Sequence, residues 1–433
     1  MRCPTLIDLP LPPPGKKGWP WTEQSILLPD TMPDDRPWPK VTIVTPSFNQ
    51  AQYLEETIRS VLLQGYPNLE YIIIDGGSSD GSQEVIKKYE PWLAHWVSEP
   101  DRGQSHALSK GFDRAAGEIL AWLNSDDTYL PGAIGRAAGH MARNPATGLV
   151  YGHARIINAQ GGLISTWQAP EFSLQAQIFQ YRYIPQPSAF FRRAVFEQAG
   201  GIGQDFYYTM DFDLWLRLGL AADVDRLPQL LSNYREHQTS KTVSNRYANR
   251  TEILKSLQRF FATPNLPARL KKLETAACGM VNLHQALGAF QENDAGNGAH
   301  YLAQAFQVAP NIPRLCRERL LQMLVGYAPA EPEQAAIYFQ TIGDNLPPPA
   351  AQLQQFLPLA LNRIIIIAAT RSDNRRRRHE AVRRLGSVAR RDLSWLSNRQ
   401  VLPGVLGLLG GARLIETVSA LKKRKLPAAA SLS

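Results

Sequence analysis

The chain has 433 residues, 44% of them apolar, with nine Trp, fifteen Tyr, fifteen Phe and a formal charge of +9. That length allows two or three domains, and the apolar and aromatic content excludes disorder over most of it. Cys3, Cys278 and Cys316 are too sparse for a disulfide framework or a metal knuckle, so a reducing, cytoplasmic compartment is expected.

Residues 1–39 carry ten prolines, including Pro12, Pro13 and Pro14, and lack the apolar stretch of a secretory signal. They are expected to run extended, with Trp19, Trp21 and Trp38 anchoring them to the next domain. Residues 41–45 are a β-branched run, expected as a buried strand ending at Pro46. Over 49–64, Leu54, Ile58, Val61 and Leu62 recur at three- and four-residue steps, which predicts a helix closed by Gly65. Strands are expected at 71–74, 95–98 and 119–123, with helices at 83–89 and 104–116. Strands alternating with helices in this way predict α/β layering around a mostly parallel sheet. Such sheets bind ligands beyond their C-terminal strand ends. Ser47, Asp75 and the Asp126–Asp127 pair all fall at such ends.

A helix after Pro131 leads to a strand at 149–151. A sheet-associated stretch covers 183–191, and a helix 193–199. Residues 211–218 place two acids at the start of an apolar helical face, and 230–240 close a domain spanning 40–245. Residues 246–370 read as helical. Tyr301, Leu302, Ala305, Phe306 and Pro310 resemble a single tetratricopeptide-like unit without the regular copies of a solenoid, so an irregular bundle is expected. In the amphipathic tail, 371–433, fifteen Lys or Arg stand against four acids between Arg371 and Lys425. The apolar runs 364–369 and 401–411 are too short for a membrane span of about 20 residues. The clusters at 375–378 and 422–425 suit an anionic membrane surface, giving a peripheral protein on the cytoplasmic face. Nucleic acid is disfavoured, because no base-reading module accompanies the charge.

Adjacent Asp126 and Asp127 repel unless a cation or donor offsets them, so they are candidates to hold a divalent ion against a diphosphate; a polar turn is the plain alternative. Asp75 opens a loop of Gly76, Gly77, Ser78, Ser79 and Asp80, in which glycines permit close backbone approach and a carboxylate can accept from a base or ribose. The loop has neither the G-x-G-x-x-G spacing of dinucleotide sites nor a P-loop lysine, which disfavours hydride transfer and NTP hydrolysis. Of Asp211 and Asp213, one suits the positive end of a helix and the other a general base. His237 is a candidate for metal or phosphate. Asp101 and Arg102 are candidates to line a donor site or to form an exposed turn. Trp215 reads as helix core before acceptor surface.

VTIVTPSFNQ at 41–50 resembles the opening of the family 2 glycosyltransferases, which have the GT-A nucleotide-diphospho-sugar transferase fold. IIDGGSSDGS at 73–82, SEPDRGQSHALSKG at 98–111, LAWLNSDD at 120–127, YTMDFDLWLRL at 208–218 and YREHQTS at 234–240 resemble the later blocks, in family order. The resemblance implies inverting transfer of a sugar from a nucleotide-diphospho-sugar to a glycan, lipid-linked glycan or other cell-surface acceptor. It implies that Asp75 contacts the base with Pro46 and Ser47 beside it, that Asp126 sits near the ribose, and that Asp127 ligates Mg²⁺ or Mn²⁺. Asp211 is then the general base, with His237 supporting the metal or diphosphate. Gly76 stands where many relatives carry a second acid, and Met210 where many carry Glu, so Asp213 competes with Asp211. Transfer of another nucleotide-activated group, or a silent glycan-binding scaffold, are the alternatives.

Overall fold

The computed structural model describes residues 3–180, 184–238, 246–370, 377 and 380–385. The chain divides into two compact units, Met1–Lys271 and Lys272–Ser433.

In the first unit the order is β1 (Val41–Ser47), α1 (Ala51–Leu62), β2 (Leu69–Asp75), α2 (Ser82–Tyr89), β3 (His95–Ser98), α3 (Gln104–Phe112), β4 (Ile119–Trp122) and β5 (Thr128–Tyr129). There follow α4 (Ala133–Arg143), β6 (Thr147–Ile157), β7 (Leu163–Trp167), α5 (Leu174–Gln180), β8 (Ala189–Arg192), α6 (Arg193–Gln198), α7 (Met210–Ala221), β9 (Asp223–Arg235) and α8 (Arg246–Phe261). The described strands form one sheet in the order β3-β2-β1-β4-β8-β6-β9-β5, with β7 paired to β6. The first four strands are parallel, as α/β alternation requires. Beyond β4 the sheet is mixed, because β8 enters antiparallel to both β4 and β6.

Successive β1 side chains face opposite layers. Val41 and Ile43 pack with Leu54, Ile58 and Val61 of α1, Ile86 of α2, and Ile134 and Met141 of α4. Val44 joins Leu108 and Phe112 of α3 and Leu214, Trp215 and Leu218 of α7 on the other face. At about 1.5–3 kcal/mol for each large apolar side chain buried, these two layers are what hold the strand ends in place.

Several boundaries differ from expectation. β1 continues through Pro46, which pairs with Ile74, to Ser47 opposite Asp75. The missing N–H is harmless there, because the β1–β4 ladder ends at Val44 opposite Trp122. Helix α3 stops at Phe112, and the chain turns back so that the Ala116 amide donates to Glu70 Oε2 at 2.7 Å. The short strand expected at 149–151 is the middle of the eleven-residue β6. The segment read from 230 is the end of the thirteen-residue β9, whose pairing with β6 shifts register around Pro228. The β6–β7 hairpin and α5 were not anticipated; β7 is almost wholly exposed, so it lacks the buried face that periodicity reports.

The leader is anchored by its tryptophans. Trp19 Nε1 donates to the Tyr129 carbonyl at 2.8 Å, and Trp38 meets Tyr66 edge-on at 5.6 Å. Trp21 lies against the guanidinium of Arg59, 5.5 Å from the ring centroid. Arg59 is fully buried and donates to the carbonyls of Pro10, Pro20 and Trp21 and to the Tyr89 hydroxyl, at 2.9–3.2 Å.

The second unit is helical where described. Glu274–Gln291 packs on Ala295–Val308, and Leu302, Ala305 and Phe306 of the tetratricopeptide-like stretch fill the seam. Leu357–Thr370 buries Ile364, Ile365 and Ile366 within the unit, and its Arg363 pairs with both oxygens of Glu318 at 3.0 and 2.7 Å. Among the described residues no single helix is long and apolar enough to cross a membrane; Pro348–Gln355 and Leu357–Thr370 reach that length only as a bent pair. The basic tail expected from residue 371 lies outside the described residues, apart from Arg377 and 380–385.

Candidate functional site

The C-terminal ends of β1, β2 and β4 bring Ser47, Asp75 and residues 124–127 to one rim. Ser47 is buried, and its hydroxyl has no protein partner. A buried hydroxyl at a strand end without a partner is an open hydrogen-bonding position. Asp75, by contrast, is fully engaged. Its Oδ2 accepts from the amides of Gly77 and Ser78 at 3.2 and 2.9 Å and from Ser98 Oγ at 2.6 Å, and its Oδ1 accepts from Ser78 Oγ at 2.6 Å. Expected as a contact to the base, Asp75 here folds its own loop and ties it to β3.

Phe48, which sequence reasoning passed over, is 60% exposed directly after Ser47. A Cβ on Gly76 would lie 3.2 Å from the Phe48 ring and 2.8 Å from Asp101 Oδ2. A residue larger than glycine at 76 therefore has to displace Asp101. Asp101 also accepts from the Gly103 amide at 2.7 Å, and so closes the turn into α3. Phe48, Gly76 and Asp101 thus present an aromatic face and a carboxylate side by side.

The two adjacent acids separate in role. Asp127 is buried, its Oδ1 accepting from the Arg235 amide at 2.8 Å and its Oδ2 from Asn124 Nδ2 at 3.3 Å. Burial first, and then the charge of Asp126, push its carboxyl well above the usual range. Asp126 instead points its Oδ2 at His237 Nε2, 2.9 Å away, with Tyr53 packed against the imidazole at 5.0 Å between ring centroids. Asp126, expected near the ribose, thus faces the imidazole of His237, and Asp127, expected as the metal ligand, faces the Arg235 amide. Arg235, two residues before His237, is the buried hub: its Nε donates to the Asp126 carbonyl at 2.8 Å, and its Nη2 reaches Glu56 at 3.1 Å. Sequence reasoning passed over it within YREHQTS, where no local pattern marks the arginine as buried.

Among the described residues no three His, Cys, Asp or Glu side chains converge as a ligand set. One carboxylate and one imidazole on a common rim fit a divalent cation whose other ligands come from a bound diphosphate and water, rather than a closed protein cage. Behind the pair, Gln104 donates to Asn124 at 2.6 Å, and Asn124 donates to Gln186 at 3.1 Å, which fixes the loop from below.

Asp211 and Asp213 open α7. Asp213 is buried, and its Oδ2 takes Arg217 Nε and Nη2 at 3.0 and 2.6 Å. It is committed to an ion pair. Asp211 is only partly buried and accepts from the Phe212 amide at 2.7 Å. The segment before it packs on the Asp101–Gly103 turn: Arg102 donates to Gln204 at 3.2 Å, Ser105 Oγ bonds the Phe206 carbonyl, and the Tyr207 ring lies over Gly103. Trp215 is core, stacked on Trp122 at 5.4 Å.

The profile of Glycosyl transferase family 2 matches residues 42–200. An uncharacterized glycosyltransferase of Mycobacterium tuberculosis is 31% identical over 189 residues, which are 43% of this chain and 71% of that relative. A putative teichuronic acid biosynthesis glycosyltransferase of Bacillus subtilis, TuaG, is 39% identical over 94 residues, 21% of this chain and 37% of that protein. Among solved structures, residues 1–349 of S. aureus TarS in complex with UDP-GlcNAc superpose with a TM-score of 0.52 at 15% identity, covering 73% of this chain and 92% of that one. At that identity the likeness is one of fold.

Proposed function

The chain belongs to glycosyl transferase family 2, and from that premise we propose that it transfers a sugar from a nucleotide-diphospho-sugar to a hydroxyl of a glycan, lipid-linked glycan or other cell-surface acceptor, inverting the anomeric centre. The observation that carries this reading is the Asp126–His237 pair, 2.9 Å apart at the strand-end rim of a GT-A sheet. Asp126 and His237 would together hold Mg²⁺ or Mn²⁺. Bound there, the cation would offset the charge that develops on the departing diphosphate.

The remaining work falls to the chain's own groups. Phe48 offers a face to the nucleobase, Asp101 an acceptor to the nucleoside, and the unpartnered Ser47 hydroxyl a further contact. Asp75 keeps the loop in the shape that receives them. Asp211 takes the proton of the acceptor hydroxyl as its oxygen attacks the anomeric carbon. The bond from that carbon to the diphosphate oxygen breaks, and the nucleoside diphosphate leaves with the electron pair. Attack opposite the leaving group inverts the centre in one displacement.

Calorimetry with a panel of nucleoside diphosphates in Mn²⁺ tests the donor half. Wild type is expected to bind one base selectively. Asp126→Ala should weaken that binding by about 100-fold or more, beyond the roughly 10–100-fold typical for a partner behind a ligand, and Asp127→Asn should weaken it less. The reverse ranking would return the metal to Asp127. Absence of metal-dependent binding by folded wild type would point to a silent scaffold.

A further inference from the structure

Thr209 is the residue before α7 and a type that usually caps a helix with its own side chain, yet it makes no such cap. The residues that lead into the helix are held instead by a side chain from another helix. Glu252 of α8 takes the Tyr207 amide on Oε1 at 2.9 Å, and the amides of Tyr208 and Thr209 on Oε2 at 2.6 and 3.1 Å. The Thr209 hydroxyl is turned onto the same oxygen at 3.4 Å and toward Ser256 Oγ at 3.3 Å. One carboxylate thus gathers three consecutive backbone donors, 43 to 45 residues away in sequence. Bonds of this charge-assisted kind are the stronger and more directional class.

The clasped residues run directly into the segment that carries Asp211. The Asp213 amide donates to the Thr209 carbonyl at 2.9 Å, so fixing Thr209 fixes the first turn of α7, with Asp211 inside it. At the other end, the Tyr207 ring lies 3.4 Å from where a Cβ on Gly103 would be, against the turn that carries Asp101. Glu252 therefore stands at the joint between the segment assigned to proton abstraction and the turn assigned to the donor. A cap serving stability alone would need one acceptor on the first helical amides. This one holds the approach to the helix instead.

We propose that Glu252 is a positioning residue for the general base: by clasping Tyr207–Thr209 it sets the place from which Asp211 meets the acceptor hydroxyl. The proposal rests on the reading in which Asp211 takes that proton.

The test is a double-mutant cycle on release of nucleoside diphosphate from the nucleotide sugar that carries the best-binding base, with water as the attacking hydroxyl. Glu252→Ala is expected to lower kcat by about 100-fold, the scale of a displaced catalytic group, with the nucleoside diphosphate Kd within about twofold. Glu252→Gln, which keeps one accepting oxygen, should fall between it and wild type. In an Asp211→Asn background, Glu252→Ala should cost nothing further, because the group it positions is already gone. Lys255→Ala, which removes the pair with Asp205, a bond to its carbonyl and the cation over Phe206 but touches neither the Glu252 clasp nor Asp211, should leave kcat within about twofold. If the losses from Asp211→Asn and Glu252→Ala multiply, or if both Glu252 variants lower Tm but keep kcat, the clasp is structural and the proposal fails. Binding without turnover of any donor by wild type would instead overturn the transfer reading, and the clasp with it.

Discussion

Asp126 and Asp127 are adjacent and identical in chemistry, yet only one of them faces His237; the other is turned inward onto the Arg235 amide. The same division recurs at Asp211 and Asp213, where the buried member is spent on Arg217. Removing one partner of a buried ion pair strands the other charge. Asp213→Asn is therefore expected to destabilise the protein by about 3 kcal/mol, read as a shift of the denaturation midpoint. Asp211→Asn, which keeps an oxygen for the Phe212 amide, should move that midpoint less than Asp213→Asn does and lower kcat by about 10²–10⁴-fold, the contribution of a general base. An Asp213 variant that folds normally but loses turnover would exchange the two roles. All four acids were legible in the sequence, because carboxylates after strands and at helix starts are visible locally. Their ranking was not, because it depends on what lies across the fold.

At the scale of elements, the register of β1 against β2 and β4 decides which residues reach the rim. Glu70 on β2 helps to pin that register from the opposite end of the sheet. It accepts from Lys40 Nζ at 2.6 Å, Thr42 Oγ1 at 2.5 Å and the Ala116 amide at 2.7 Å. Burial by itself would raise the Glu70 carboxyl, but these donors outweigh it and hold it below its usual range. A folded-state value below the unfolded one gives stability that is present above the unfolded value and lost as pH falls through the folded one. Glu70→Gln should thus cost about 1 kcal/mol at pH 7, allowing for solvent screening, and the gap to wild type should close below about pH 4. A gap that stayed constant to about pH 3 in urea titrations would mean that packing, not charge, carries the effect. The first four strands and their helices were legible because each has a two- or 3.6-residue period. β7 and the extended courses of β6 and β9 were not, since β7 is exposed, β6 is buried on both faces and carries Gly148 and Gly152, and β9 is interrupted by Pro228.

Across the first unit, the leader and the sheet domain are joined through Arg59. Its guanidinium is fully buried and is satisfied by three leader carbonyls and one tyrosine hydroxyl. Deleting residues 1–21 removes those carbonyls and leaves a cation in the core. The truncated protein should lose about 3 kcal/mol or more, and adding Arg59→Met to it should restore part of the loss. Denaturant titration of the four combinations gives the coupling directly. Equal losses with and without Arg59→Met would show that the tryptophans alone hold the leader.

The sequence by itself determined the α/β alternation of residues 41–123, the gathering of Ser47, Asp75 and the Asp126–Asp127 pair at one edge of the sheet, and the helical character of the second unit. Each of these rests on short-range periodicity, or on the rule that parallel strands joined by helices end on the same side. The tertiary structure alone decided that Asp126 meets His237, that Glu252 clasps Tyr207–Thr209, and that Arg59 holds the leader. Those contacts join groups 111, 43 to 45 and 38 to 49 residues apart. No local pattern encodes which distant donor a buried carboxylate or guanidinium will meet. Burial makes that choice, because an ionised group withdrawn from water has to find its partners within the fold.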